Sequence, residues 1–151
     1  YGDFAYLEGR NQGDSAPSRY VWLHHNDAAY IGRNQVSSIN VNDLLVEDNV
    51  FDKSGGAPWD IEPNYAAEQV KRNTFRRNAV GSYGHMRQFA GWFVVSAYVY
   101  DTPVEDIVVD DNDVVGIGVS PNDANIPGIE AIVPPGRTSA WSAPKVGARP
   151  A

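Results

Sequence analysis

Two carboxylates stand one residue apart in the segment Trp59-Asp60-Ile61-Glu62. On a β-strand the apolar Trp59 and Ile61 point to one face, so Asp60 and Glu62 point together to the other. A carboxylate pair on an exposed face can act as acid and base, hold Ca²⁺ or bind sugar hydroxyls. Alternate strand positions lie about 6.5–7 Å apart, which suits inverting better than retaining glycosidases. The alternative interpretation is a solvated acidic patch without a ligand.

A second set of candidates lies in the segment Tyr83-Gly84-His85-Met86-Arg87, within a loop that we expect to be inserted over residues 81–91. Loops raised on a rigid scaffold commonly carry function. His85 can serve as a general base because histidine titrates near neutral pH. The aromatic rings of Tyr83 and Trp92 can stack on sugars, and Arg87 can bind a carboxylate. A solvated loop histidine without a catalytic role is the alternative.

Basic residues offer two further possibilities. Arg33 can either neutralise Asp60 and Glu62 or bind an acidic sugar. The one basic cluster can form a ladder against acidic residues on neighbouring turns of the chain, and it consists of Lys71, Arg72, Arg76 and Arg77. One cluster on a chain with net charge −7 argues against nucleic acid as the partner.

Several other chemistries are excluded or weakly supported. The chain has no cysteine, which removes disulfides, zinc–thiolate sites and thiol nucleophiles. His24 and His25 lack a third metal ligand at matching spacing, and Asp110 to Asp113 lacks the glycine and the final glutamate of an EF-hand loop. The sequence establishes no cofactor, and Ca²⁺ is the one that the pair Asp60 and Glu62 could hold. No apolar run reaches the length of a membrane helix, so we expect no membrane insertion.

The elements that position these residues follow from a repeat. The pattern apolar-x-x-Asn-x-apolar occurs at residues 23–28, 46–51, 70–75 and 109–114, with Asn26, Asn49, Asn73 and Asn112 in the shared position. A short apolar phrase follows each motif, at residues 30–33, 59–62 and 116–119. After the third motif the place is open between residues 80–83 and 92–95, and we favour the latter. Short β-branched and aromatic runs separated by Asn, Asp and Gly are typical of strands.

A period of 23 to 24 residues with two or three strands predicts one coil of a β-solenoid. Each coil adds one strand to each parallel sheet, about 4.8 Å from the last. We expect the four asparagines to stack at one corner, where their side chains bond to neighbouring backbone. Stacking also places Arg33 one coil above Asp60 and Glu62, and the strand at 92–96 one coil below.

The asparagine motif, followed by a glycine-containing gap and by Trp59-Asp60-Ile61-Glu62-Pro63-Asn64, resembles the pectate-lyase-like superfamily of right-handed parallel β-helices. The resemblance covers about residues 20–120. It implies right-handed winding and an outer sheet face that lines a carbohydrate groove. It implies no single activity, because the superfamily includes polysaccharide lyases, glycoside hydrolases, uronan epimerases and phage tailspikes.

We therefore expect an all-β, right-handed parallel β-helix of about four to five coils over residues 1–133, with a Pro/Gly/Ser-rich extension at 134–151. Residues 4–8 read as a strand without a preceding polar cap, so we expect the chain to be a segment of a longer polypeptide or to be capped by neighbouring chains.

The expected function is carbohydrate engagement within a larger secreted or virion-associated protein, with a polysaccharide as partner. Asp60, Glu62 and His85 are the candidate catalytic residues of a lyase, hydrolase or epimerase. The candidate substrate-binding residues are Arg33, Tyr83, Arg87 and Trp92. The alternative is a structural rod, such as a phage tail or fibre component, without catalytic activity.

Overall fold

A computed structural model describes residues 2–11, 13, 15–86, 93–95 and 102–114. In these ranges the chain forms twelve β-strands and no helix, and hence no helix that could span a membrane. The strands are β1 (Ala5–Leu7), β2 (Ser18–His24), β3 (Asp27–Ala29), β4 (Val36–Ser38), β5 (Val41–Glu47), β6 (Val50–Asp52), β7 (Trp59–Ile61), β8 (Val70–Arg76), β9 (Ala79–Val80), β10 (Phe93–Val95), β11 (Val104–Asp110) and β12 (Asp113–Val114).

Every third strand belongs to the same sheet, and all pairs are parallel. Sheet A contains β1-β4-β7-β10, sheet B contains β2-β5-β8-β11 and sheet C contains β3-β6-β9-β12. We call each run of three consecutive strands a layer, so that layer 1 is β1 to β3 and layer 4 is β10 to β12. This stacked arrangement confirms the prediction of an all-β solenoid.

The interior is filled by columns of apolar side chains, one from each layer. Ring contacts run through the core from layer 2 to layer 4: Phe51 lies 5.9 Å from Phe75, Phe75 lies 5.1 Å from Trp59 of the same layer, and Trp59 lies 5.0 Å from Phe93 (ring centroids). All four side chains are at most 1% exposed. Burying each ring contributes about 1.5–3 kcal/mol, so this stack is a main source of stability.

The bends are made by residues in the left-handed conformation, which recur at equivalent positions of sheet B. One column lies within the sheet B strands and comprises Tyr20, Asp43, Arg72 and Asp106; the other lies at the corner after the strands and comprises His25, Asp48, Arg77 and Asp111. Their φ angles lie between 48° and 59°. This conformation costs about 1–2 kcal/mol for a residue with a side chain, and Asp tolerates it best.

An asparagine follows each corner residue, and these asparagines form a hydrogen-bonded ladder. The Oδ1 of Asn49 accepts from the Nδ2 (2.8 Å) and the backbone N–H (3.0 Å) of Asn26. The Oδ1 of Asn78 accepts in the same way from Asn49, and that of Asn112 from Asn78. Each rung therefore joins two adjacent layers at the corner between sheets B and C.

The prediction of Asn26, Asn49 and Asn112 at one corner is confirmed, but the prediction for Asn73 is wrong. The third rung is Asn78, because Phe75 rather than Val70 pairs with Val46 and Val109. The loop from β7 to β8 spans residues 62–69, whereas residues 39–40 alone join β4 to β5. Those extra residues displace the motif along the chain.

Asn73 has a different role, inside the solenoid. It is fully buried on β8 and aligned with Ile107 of β11. Its Oδ1 accepts from the N–H of Leu44 (3.1 Å), and its Nδ2 donates to the carbonyl of Val41 (3.3 Å). These backbone groups flank the left-handed bend at Asp43, so Asn73 satisfies polar groups that the bend leaves in the core.

Two further expectations concern sheet A. Residues 30–33 were expected to form its strand in the first repeat, but β4 (Val36–Ser38) pairs with β7 instead. The connection after sheet C is six residues long here, so the strand begins later than the apolar phrase suggests. The choice of residues 92–95 over 80–83 is confirmed for the described residues, because Phe93–Val95 pairs with Trp59–Ile61. Residues 116–119 and 134–151 lie outside the described ranges.

A disulfide tests the corrected register. Leu45 and Thr74 are paired neighbours on β5 and β8, so Leu45→Cys with Thr74→Cys should form a disulfide under mild oxidation. The register predicted from the sequence, in which Asn73 is aligned with Asn49, would place Thr74 beside Val50. The matched control is therefore Val50→Cys with Thr74→Cys. The chain has no other cysteine, and mass spectrometry of free thiols measures the outcome. Crosslinking of the control pair alone would contradict the register.

The ladder also predicts a stability difference. Asn49→Ala should lower the free energy of unfolding by about 3 kcal/mol, because several buried backbone and side-chain groups lose their partner. Asn26→Ala, at the more exposed end of the ladder, should cost about 1 kcal/mol. Urea denaturation measures both values. Equal costs at the two positions would argue against the ladder as a stabilising element.

Candidate functional site

The carboxylate pair predicted on β7 does not form an exposed site. Asp60 is fully buried, although it points away from the apolar core side of the strand, as expected. Its Oδ2 accepts from the Nδ2 of Asn34 (3.0 Å), and the same Nδ2 donates to the hydroxyl of Ser37 (3.1 Å). The segment before β4 thus covers the carboxylate. The expectation of an accessible Asp60 is wrong, because alternation gives a side chain's direction but not what lies over it.

Glu62 is held in an ion pair. The guanidinium of Arg33 donates to its Oε2 at 3.2 Å, and another nitrogen of the same group lies 3.7 Å from Asp3. Arg33 was predicted either to neutralise these carboxylates or to bind an acidic sugar. The observed contacts correspond to the first alternative for Glu62, and the same guanidinium also approaches Asp3 of another layer; binding of an acidic sugar stays a prediction.

The inserted loop brings His85 to Ser82 and Asp52. The Nε2 of His85 lies 3.1 Å from the Oγ of Ser82, and that hydroxyl donates to Asp52 Oδ1 at 3.0 Å. Tyr83, expected to contact substrate, is only 4% exposed and packs in the core. Arg87 and Trp92 lie outside the described residues.

This Ser–His–Asp group lacks the arrangement of a nucleophile and its base. The hydroxyl of Ser82 donates its proton to Asp52, whereas in a catalytic triad the histidine accepts it. The backbone N–H groups of Gly84, His85 and Met86 donate to the carbonyls of Gly56, Ser54 and Gly55. Within residues 81–86, these amides are therefore engaged and form no oxyanion hole. The contacts instead fasten the loop to residues 54–56, in the connection between β6 and β7.

Asp52 is the anchor of that loop. It accepts from the N–H (2.8 Å) and Oγ of Ser82 and from the ammonium of Lys53 (2.7 Å). The contact with Lys53 is the largest of several that lower the pKa of Asp52 to about 2. A side chain at Gly81 would collide with the Asp52 carboxylate, so glycine is required for this approach.

The most exposed aromatic surface lies on the outer face of β2, which sequence reasoning missed. Tyr20 is 81% exposed and Trp22 is 57% exposed. The Trp22 ring stacks on His24 with centroids 3.9 Å apart and planes inclined by 24°, and its Nε1 donates to Glu47 Oε1 at 2.9 Å. We call Tyr20, Trp22 and His24 the β2 platform. It is a surface with a fixed indole, because one hydrogen bond and one stacked ring hold Trp22.

The predicted ladder of basic and acidic residues is confirmed in layers 2 to 4, and it meets this platform at Glu47. Glu47 Oε2 accepts from Arg76 (2.8 Å) and Arg77 (2.6 Å), and these contacts, with Arg76 first, lower the pKa of Glu47. Arg77 also binds both oxygens of Asp48. The remaining pairs are Arg72 with Asp43 and Lys71 with Glu105.

These electrostatics keep the carboxylates beside the cations in the charged form. A general acid needs a raised carboxyl pKa. The resolved carboxyl shifts all run downward, at Asp43, Glu47, Asp48 and Asp52, chiefly because each accepts a hydrogen bond from a neighbouring cation. In the described ranges, moreover, no three His, Asp or Glu side chains converge as a metal site.

A sequence signal for the platform existed. The segment Ser18–His24 alternates polar and aromatic positions with Val21 and Leu23, which places Trp22 opposite the core. The asparagine pattern begins only at Leu23, after these aromatic residues, and therefore makes no prediction about them.

Comparison with protein-family models, curated proteins and solved structures finds no match to this chain.

Acid should weaken the loop anchor. Asp52 titrates at about 2 when folded and has an ordinary value of 3.8, so its charge stabilises the fold above about pH 4. This contribution is lost as the pH falls from about 4 towards 2. Asp52→Asn should therefore show a flatter decline of melting temperature with acid than the parent chain. An identical slope in both proteins, measured by circular dichroism, would refute the assignment.

Proposed function

We propose that this chain is a carbohydrate-binding segment of a larger secreted or virion-associated protein. In this proposal the layers wind as a right-handed parallel β-helix of the pectate-lyase-like type, with about four to five coils. The observation that carries the proposal is the β2 platform. An exposed, fixed indole, with an exposed tyrosine two residues before it on the same strand, offers flat apolar faces to the C–H groups of a sugar, and polar groups at its border can bind hydroxyls.

The charges around the platform favour a neutral polysaccharide. Recognition of an acidic sugar needs a guanidinium or ammonium group that is available to its carboxylate. Here Arg72, Arg76 and Arg77 are each engaged by protein carboxylates, and the exposed Arg19 of β2 interacts electrostatically with Asp43. The net charge of −7 also opposes an anionic polymer.

The proposal assigns binding rather than cleavage. Asp60 is buried, Glu62 is paired with Arg33, and Ser82 donates to Asp52 rather than to His85. A lyase, hydrolase or epimerase activity would need a paired acid and base that substrate can reach, and of the three candidate catalytic residues only His85 is exposed. The β2 platform supplies contact surface and hydrogen bonds instead.

A structural rod is the second candidate, and the edge of layer 1 favours it. Among the described strands, β1, β2 and β3 are the edges of their sheets. Interior side chains of this layer, including Leu7, Val21 and Leu23, are only partly buried. A further layer of parallel strands, from the same polypeptide or a neighbouring chain, would cover them and pair the free edges.

Trp22→Ala should weaken binding to neutral polysaccharides about tenfold or more, because the stacking surface is lost. Trp22→Phe should retain part of the affinity, since it keeps a ring but loses the bond to Glu47. The matched control is Val108→Ala, at the equivalent outward position of β11. Binding is measured on a glycan array and then by calorimetry.

The same array separates the alternatives. Asp60→Asn and Glu62→Gln should leave affinity unchanged if the β2 platform binds the glycan. Binding of uronate polymers alone would overturn the neutral class but leave a carbohydrate function. Absence of binding to every glycan, with the parent chain folded, would remove the proposed function and favour the rod.

A further inference from the structure

The two consecutive histidines at the end of β2 bring their ring nitrogens together. The Nδ1 atoms of His24 and His25 lie 2.9 Å apart, and both side chains are exposed. In the neutral pair one nitrogen must carry a proton and the other must accept it. Two imidazole nitrogens that converge on one point are also the commonest ligands of transition metals in proteins.

The surrounding residues hold both rings. His24 is stacked on Trp22, and the plane of His25 is perpendicular to that of His24 at a centroid distance of 5.2 Å. The backbone of His25 is left-handed, with φ of 53°, and Asn26 donates from Nδ2 to the carbonyl of His24 at 3.1 Å. The convergence thus results from the corner of the solenoid and from a stacked neighbour.

Layer 1 differs from the other layers at this corner. The positions equivalent to His25 hold Asp48, Arg77 and Asp111, all left-handed as well. The positions equivalent to His24 hold Glu47, Arg76 and Asp110. Layer 1 therefore presents two nitrogen ligands side by side where layers 2 and 3 present ion pairs.

The separation of the nitrogens specifies a bond angle. With metal–nitrogen bonds of about 2.0–2.1 Å, two ligands 2.9 Å apart subtend about 90° at the metal. That angle belongs to adjacent positions of a square-planar or octahedral site, which Cu²⁺ and Ni²⁺ adopt. A tetrahedral site, as preferred by Zn²⁺, needs about 3.3 Å between its nitrogens at the same bond length.

The local field also favours a cation. Asp48 lies one layer below His25, and the two groups interact electrostatically. Arg77 binds both oxygens of Asp48, so that carboxylate contributes charge rather than a further ligand. With two protein nitrogens, water must complete the coordination.

We propose that His24 and His25 form a two-nitrogen surface site for a divalent transition metal with square-planar or octahedral preference, Cu²⁺ first and then Ni²⁺. Both Nδ1 atoms bind the ion at adjacent positions, and the proton between them moves to the Nε2 atom of its own ring, so that both imidazoles bind in the neutral form. The site shares His24 with the β2 platform, but metal binding is measured without glycan and does not require the proposed carbohydrate function.

Titration of the full chain with Cu²⁺, followed by calorimetry and electron paramagnetic resonance, tests the site. The parent chain should bind one ion with two nitrogens in its coordination sphere, and it should bind Ni²⁺ more tightly than Zn²⁺. His24→Ala and His25→Asn should each lower Cu²⁺ affinity about tenfold or more and remove one nitrogen from the spectrum. Asn is chosen at position 25 because it tolerates the left-handed backbone.

The control is His85→Ala, which removes the third and last histidine of the chain and should leave Cu²⁺ affinity unchanged. Equal affinity in the parent, His24→Ala and His25→Asn proteins would overturn the proposal, as would loss of binding in His85→Ala. Tighter binding of Zn²⁺ than of Ni²⁺ would contradict the right-angle geometry. Circular dichroism of each variant verifies that the exposed substitutions leave the fold intact.

Discussion

The alignment of equivalent backbone positions between layers is the constraint on which this structure depends. At the corner between sheets B and C, two residues separate the strands in all four described layers: a left-handed residue and an asparagine. Because this corner has constant length, each asparagine reaches the next one. The amide ladder also supplies hydrogen-bond partners for backbone groups that the bend would leave unsatisfied. The apolar columns of the core are aligned by the same repetition.

Charge follows the same columns. Each left-handed column reads aromatic, Asp, Arg, Asp from layer 1 to layer 4, and in both columns the arginine binds its aspartate through two nitrogens. Exposed ion pairs contribute little individually, but a fixed order of signs disfavours a shift of one layer against its neighbour. Layer 1 lacks these carboxylates, which leaves Tyr20 and His25 as the exposed groups there.

Sequence reasoning identified the fold class, the asparagine corner and the basic–acidic ladder, because all three result from short, regular patterns. It misplaced Asn73 because the loop before β8 is longer than its counterpart in layer 2, and a pattern of one asparagine and two apolar residues fits either register. It also placed Asp60 in solvent. Alternation along β7 gave the correct direction, but the cover supplied by Asn34 comes from a different layer and has no local signal. The β2 platform was missed because its significance depends on exposure, which the pattern of β2 alone does not give.

The three corners of the solenoid, where the chain passes from one sheet to the next, differ in the number of residues they contain. The corner between sheets B and C has a constant length of two residues, at 25–26, 48–49, 77–78 and 111–112. The segments from sheet A to sheet B and from sheet C to sheet A range from two to twelve residues. The length of the connection therefore varies between layers at two corners and stays constant at the third. Peptides grafted at those two corners would be displayed on a scaffold whose remaining corner preserves the alignment of the layers. The molecule is therefore a rational starting point for multivalent design.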